Sequence, residues 1–344
     1  MTPRRRARVV AGACVVALGA AVSAGALLRS READPATDTA GVATAPRGGF
    51  DGAARIVFQS TAPGDLYGRV AVVALDDPAG PRDVTPVACD RVDAVPGRAS
   101  CLRTVRATTT FTAEILDDHW RTIASWPLAG IPSRTRLSDD GTRVGVTAFV
   151  TGHAYGTHDV STETTIHSLD ALPSGEPTDL GNLEDWLLLV DGTPRKPADR
   201  NLWGVTFVDD THFYATAQSR ELGHTWLVAG NVTARTLTTV ADQVECPSVS
   251  PDGTRIAFKR DTVDGPGIHW SPAVYDIASG RVTVLDAETR GIDDQIEWLD
   301  DGTILYGMPR ADEPGVSDVW ELPADGSGAP SVLIPDAWSP AVLH

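Results

Sequence analysis

The sequence predicts an all-β fold: a six-bladed β-propeller of four-stranded blades, closed by its C-terminal strand and preceded by an N-terminal hydrophobic helix. Three observations carry this. Glycine and proline are abundant, at 32 and 24 residues, which points to many turns rather than long helices. A hairpin built on an Asp-Gly-type turn recurs six times, and a second pair of strand-like runs comes after the first within the units.

The chain of 344 residues opens with Arg4, Arg5, Arg6 and Arg8, then an uncharged run from Val9 to Leu28, then Arg29 and Arg31. Such a run is just long enough to cross a bilayer as a helix, and the heavier arginine flank before it favours export of the downstream chain. Residues 1–31 are therefore expected to be a signal peptide or a signal-anchor transmembrane helix; small residues at Val22-Ser23-Ala24 and Ala24-Gly25-Ala26 suit cleavage, and both outcomes place the body outside the cytoplasm. Cys14 lies inside the apolar run rather than at its end, which argues against lipid attachment. Residues 32–49, rich in Ala, Thr, Pro and Gly, read as a flexible linker.

Residues 50–344 carry the repeat. The stretch VECPSVSPDGTRIAFKR (244–260) sets Ser-Pro-Asp-Gly between two strand-like runs, and the same register returns at Asp51-Gly52, Pro96-Gly97, Asp140-Gly141, Asp210-Thr211 and Asp301-Gly302. The turns lie forty to fifty residues apart except between 141 and 211, where a longer interval marks an insertion. A fixed period of this size is the mark of a propeller, and Asp-Gly between apolar runs is a strong hairpin signal. Further turns at Ser279-Gly280 and Asp325-Gly326 add the outer strand pairs. The first unit lacks a strand before its turn, while DAWSPAVLH at the C-terminus looks like one; Ala337 to Val342 should supply it and remove the last open edge.

The run Ser250-Pro251-Asp252-Gly253-Thr254-Arg255-Ile256-Ala257-Phe258 resembles the repeat of TolB-like six-bladed propellers. WGVTF at 203–207, ECPS at 245–248 and DDQIEWLDDG at 293–302 are similar to stretches of actinobacterial exported TolB-like proteins. The resemblance covers about residues 50–344. It implies a propeller without the additional N-terminal α/β domain of TolB proper, for which residues 32–50 leave too little chain, so a role in Tol-Pal transport does not carry over.

Charge limits the partners. Six of the 29 basic residues sit in the first 31 positions, leaving 23 against 46 acidic residues in the remainder, and the only lysines are Lys196 and Lys259. Nucleic acid and anionic lipid need basic patches and are not expected. No nucleophile elbow, zinc-protease motif, phosphate loop or dinucleotide fingerprint occurs. No catalytic residue is assigned, and an enzyme is the less favoured class.

Three cysteines lie beyond the leader. Cys89, placed in the inner strand of the second blade, and Cys101, in the strand returning from the next turn, should pair in an oxidising compartment. Cys246 is then a buried single thiol. His153, His158 and Asp159 offer metal-ligand types without ligand spacing, and Asn231-Val232-Thr233 fits a glycosylation sequon, although a leader of bacterial type argues against its use. Trp226, Trp270, Trp298, Trp320 and Trp338 read as packing between blades.

Loops entering the inner strands should gather around the central channel. Aligning the turns brings Glu245, Asp293, Asp294 and Gln295 to that mouth, with Asn201 and Trp203 from another blade and Arg134 from a third. One reading is a polar mouth that binds a cation such as Ca2+ or a polar ligand; the other is that these side chains bond neighbouring blades and hold the ring together. The sequence thus favours a monomeric, non-enzymatic binding or scaffolding module of the cell envelope that takes an envelope protein or a small polar ligand. The alternative is an enzyme or cation-dependent propeller working through an acidic mouth.

Overall fold

The computed structural model describes residues 54–344 apart from 106, 151–160 and 264–267. The leader, the linker, the Asp51-Gly52 turn and the group His153, His158 and Asp159 lie outside the described residues.

The described residues form six sheets, antiparallel throughout except for one parallel pair at the edge of blade 4. Blade 2 runs outward from Arg91–Val95 through Arg98–Val105 and Thr110–Asp117 to Thr122–Pro127. Blade 3 uses Ile131–Leu137, Arg143–Val150, Ser161–Ser168 and Thr178–Asn182. Blade 5 uses Glu245–Val249, Arg255–Asp261, Trp270–Asp276 and Val282–Val284, and blade 6 uses Glu297–Asp300, Thr303–Pro309, Ser317–Pro323 and Ser331–Ile334. Blade 4, Asn201–Phe207, His212–Ser219, His224–Asn231 and Thr236–Asp242, carries two extra strands at its rim, Leu187–Val190 and Thr193–Arg195. They belong to the long interval seen in the repeat, and Leu187–Val190 joins the outer strand in parallel register, Leu188 facing Leu237.

Blade 1 is shared between the two ends of the described chain. Ala337–Leu343 forms its inner strand beside Arg55–Ser60, followed by Arg69–Ala74 and Asp83–Ala88. Ile56 pairs with Val342 and Ser60 with Ala337, so the ring closes as the C-terminal pattern implied.

Blades that pack on both faces need apolar side chains on both sides of their strands. Ile56, Val57 and Phe58 are accordingly all buried, as are Ile256, Ala257 and Phe258. Apolar clusters lie between successive blades around the ring: Val57 and Val72 meet Val92 and Ala99, Ile115 meets Val146, and Ile166 meets Phe213. Leu227 meets Phe258, Val274 meets Tyr306, and Leu305 returns to Phe58.

The repeated turn has a hydrogen-bonded cause. Ser250 Oγ donates to Asp252 Oδ1 at 2.5 Å, Gly253 N donates to Ser250 O at 2.8 Å, and Thr254 N donates to Asp252 Oδ1 at 3.0 Å. Gly253 sits at φ 68°, where a side chain is disfavoured. Ser138, Asp140 and Thr142 repeat the arrangement in blade 3. These bonds explain the Ser-x-Asp-Gly spacing where it occurs, in blades 3 and 5.

Cys89 and Cys101 are joined, with Cα atoms 5.4 Å apart. Cys89 lies in the connection before the inner strand rather than within it, because Asp90 turns there to accept from Thr104 N and Oγ1 at 2.6 and 2.7 Å. Cys246 is free and buried. Among the described residues no helix is long and apolar enough to cross a membrane.

Candidate binding site at the channel mouth

Period two along a strand returns a side chain to the same side about 7 Å further on. Arg91 and Asp93 of blade 2 are related in this way, as are Arg134 and Arg136 of blade 3. Together with residues 293–297 of blade 6 they make two layers of charge, one at the mouth and one deeper. Blades 3 and 6 face each other across a six-membered ring, so contacts between them span the axis.

The deeper layer is a paired clasp. Arg136 Nη1 donates to Glu297 Oε2 and lies 3.5 Å from Asp93 Oδ1, while Arg136 Nη2 donates to Ile296 O at 3.2 Å. Gln295, turned with its amide oxygen to the guanidinium, accepts from Arg136 Nη2 and Nε at 2.9 and 3.2 Å. Asp93 also accepts from Leu137 N at 2.6 Å. Burial pushes the Asp93 carboxyl up to about 7, with Arg136 opposing and Glu297 adding to the rise. Burial raises Glu297 as well, again against Arg136.

The mouth layer is put together differently. Arg91 Nε and Arg134 Nη1 both donate to one oxygen, Ser133 O, at 2.7 Å each. Arg134 Nη2 donates to Asp293 O at 3.3 Å, and its Nε has no hydrogen-bond partner among the described residues. Arg91 stacks on Trp338, 5.4 Å from the ring centre, and lies 4.0 Å from Asp294 Oδ1. Burial, with Arg134 alongside, lowers the Arg91 guanidinium to about 10. Lys259 Nζ, 3% exposed, donates to Asp293 Oδ1 at 2.9 Å and rests over Trp270. Burial would raise Asp293, but Lys259, Arg134 and Arg91 hold it below the usual carboxylate range.

Asp294, also singled out in the sequence, is buried and accepts from Gly307 N at 3.1 Å. Glu245 opposes Lys259 on the neighbouring strand; burial raises its carboxyl while Lys259 works against the rise. Asn201 accepts from Thr162 N and Oγ1 at 2.9 and 2.6 Å, tying blade 4 to blade 3. Trp203 is half-buried on the same strand. Gly204, at φ 68°, lets blade 5 approach: a Cβ there would lie 2.9 Å from Cys246 Cα. Trp298 Nε1 donates to Ser248 O at 2.9 Å, joining blade 6 to blade 5.

Arg91, Lys259, Arg136, Asp93 and Glu297 were not singled out from the sequence. Lys259 carried the available signal: it is one of two lysines, and it directly follows the apolar Ile256-Ala257-Phe258. Among the described residues, the group of three acidic or histidine side chains whose ligand atoms approach within 4.8 Å is Asp117, Asp118 and His119, in the outer hairpin of blade 2.

Compared with solved structures, the chain is similar to TolB from Acinetobacter baumannii, with a TM-score of 0.56 at 16% identity over 85% of this chain and 67% of that one. The fold is that of a TolB-like propeller. A putative TolB from Agrobacterium tumefaciens matches over 82% of this chain and 88% of its own, with a TM-score of 0.48 and 11% identity. The tricorn protease matches over 88% of this chain and 34% of its own, with a TM-score of 0.45 and 10% identity. No protein-family model matches the sequence, and no curated protein matches it. At these identities the likeness is one of fold, and the site of this TolB-like propeller stands on its own residues.

Proposed function

We propose that the protein is a non-enzymatic, extracytoplasmic binding module of the cell envelope that captures a protein partner on the face of the propeller where the channel opens. The observation that carries this is the apolar rim of that face. Ile131 begins the inner strand of blade 3 and Phe149 opposes it, 57% and 41% exposed; Tyr67 and Ile268, from loops joining second to third strands, are 40% and 56% exposed. Large apolar side chains around a polar centre are the composition of an interaction surface.

An extracytoplasmic setting is supported by the Cys89–Cys101 bond, which oxidising compartments maintain, and by the arginine-led apolar segment at residues 9–28. Residues 1–31 tether the propeller or are removed after export, and the protein acts as a monomer. The test is chemical crosslinking and pull-down from envelope extract with Ile131→Asp/Phe149→Asp beside the wild type. Loss of a specific crosslinked partner in a variant of unchanged melting temperature is expected. Equal capture by both would overturn the proposal.

A further inference from the structure

Of the three cations in the mouth layer, Lys259 is paired with Asp293 at 2.9 Å and Arg91 lies 4.0 Å from Asp294, which leaves Arg134 as the one without a close carboxylate among the described residues. Arg134 is 8% exposed, has no carboxylate within 4.0 Å among the described residues, and keeps its Nε unpartnered. Arg91 stands beside it on the same carbonyl oxygen of Ser133. Two guanidinium groups on one neutral acceptor are unfavourable when desolvated, and a guanidinium fork matches an oxyanion in two parallel hydrogen bonds. The nearest carboxylate that responds to Arg91, Arg134 and Lys259 together is Asp293, which is itself 69% exposed.

We infer that Arg91, Arg134 and Lys259 form an oxyanion site that receives a carboxylate from a peptide segment of the partner, with Asp293 as the internal carboxylate that shares it. A peptide group is favoured over a free ion by two features. The Arg136–Glu297 pair spans the axis about 7 Å below, so a ligand group enters from the mouth face, as the tip of a side chain or a chain end can. Around the mouth, the indole of Trp338 and exposed Ile131 offer apolar surface to the rest of such a segment. The inference rests on the binding role proposed above.

The test is calorimetric titration of the full chain with hexaglutamate, hexaglutamine and inorganic phosphate. Hexaglutamate should bind with an affinity that falls as salt rises, and hexaglutamine should not bind. Arg134→Gln should weaken hexaglutamate by about tenfold or more, the usual scale for a lost charged hydrogen bond. Asp293→Asn, which keeps an amide oxygen to accept from Lys259 but removes the competing charge, should tighten binding by roughly threefold, with stability measured alongside by urea unfolding. The inference is overturned if hexaglutamate fails to bind the wild type at millimolar concentration, if Asp293→Asn leaves binding unchanged or weaker, or if hexaglutamine binds as well. Phosphate binding as tightly, with the same response to the variants, would overturn the peptide assignment. If Ile131→Asp/Phe149→Asp abolishes partner capture while the mouth variants change nothing, this inference fails alone; if hexaglutamate responds as expected while the rim variant still captures its partner, the apolar-rim reading fails alone.

Discussion

The two charged layers of the channel lie about 7 Å apart on the same strands, yet they differ in how their charges are matched. In the deeper layer one guanidinium, Arg136, meets Glu297, Asp93 and the Gln295 amide, so its donors are used from three sides. In the mouth layer, Arg91 and Arg134 share a backbone oxygen, and the paired carboxylate, Asp293, opens to solvent. A matched buried network specifies geometry, whereas an unmatched one at a solvent opening leaves capacity for a ligand. The deeper layer joins blades 2, 3 and 6 to one another, and the mouth is where the proposed ligand would bind.

The largest expected effect tests the clasp. Arg136→Met leaves Asp93 and Glu297 buried without a counter-charge and should cost about 3–5 kcal/mol in urea unfolding, the scale for breaking a buried pair. Arg134→Met at the mouth should cost clearly less; an equal loss would erase the distinction between the layers. Next, opening the Cys89–Cys101 bond by Cys89→Ala/Cys101→Ala should cost about 2–4 kcal/mol and should loosen the entry to Arg91, two residues on. Hexaglutamate affinity should then fall along with stability.

The third prediction concerns pH. Asp93 is held at about 7 in the folded protein, against about 3.9 for a free aspartate, so between these values the native state binds the proton and the unfolded state does not. Stability from this group is therefore full below about pH 4 and is lost as pH rises through about 7. Burial shifts Glu297 in the same direction. Asp93→Asn should flatten the decline in melting temperature over that window, and an unaltered pH profile would place the titration elsewhere. The smallest effect belongs to the repeated turn at the end of the inner strand away from the mouth: Asp252→Ala, which removes the exposed turn bonds to Ser250 and Thr254, should cost about 0.5–1.5 kcal/mol.

The fold was legible because its cause is local. The units announce themselves through short turns between apolar runs, in blades 3 and 5 turns whose Ser, Asp and Gly bond to one another, and the closing strand repeats the pattern that precedes such a turn. The disulfide was legible for the same reason, since its partners flank a single hairpin. The mouth was legible only in outline. Glu245, Asp293 and Arg134 could be placed by aligning turns, but their pairing is set by distance through space: Lys259 reaches Asp293 across 34 positions of sequence and Arg136 reaches Glu297 across 161. Acidic entry loops alone suggested a mouth of carboxylates. Apart from Arg134, the cations that face Asp293, Asp294 and Glu245, namely Arg91 and Lys259, were not marked by the turn alignment.

The closing strand also links two equilibria. Trp338, on which Arg91 stacks, belongs to Ala337–Leu343, the segment that seals blade 1 against Arg55–Ser60. The mouth is complete only while the ring is shut, so any ligand held by Arg91 binds the closed form in preference to one with blade 1 parted. By reciprocity, occupancy of the mouth should slow hydrogen exchange along Arg55–Ser60, on the far side of the strand from the ligand, by as much as opening the ring weakens the ligand's hold.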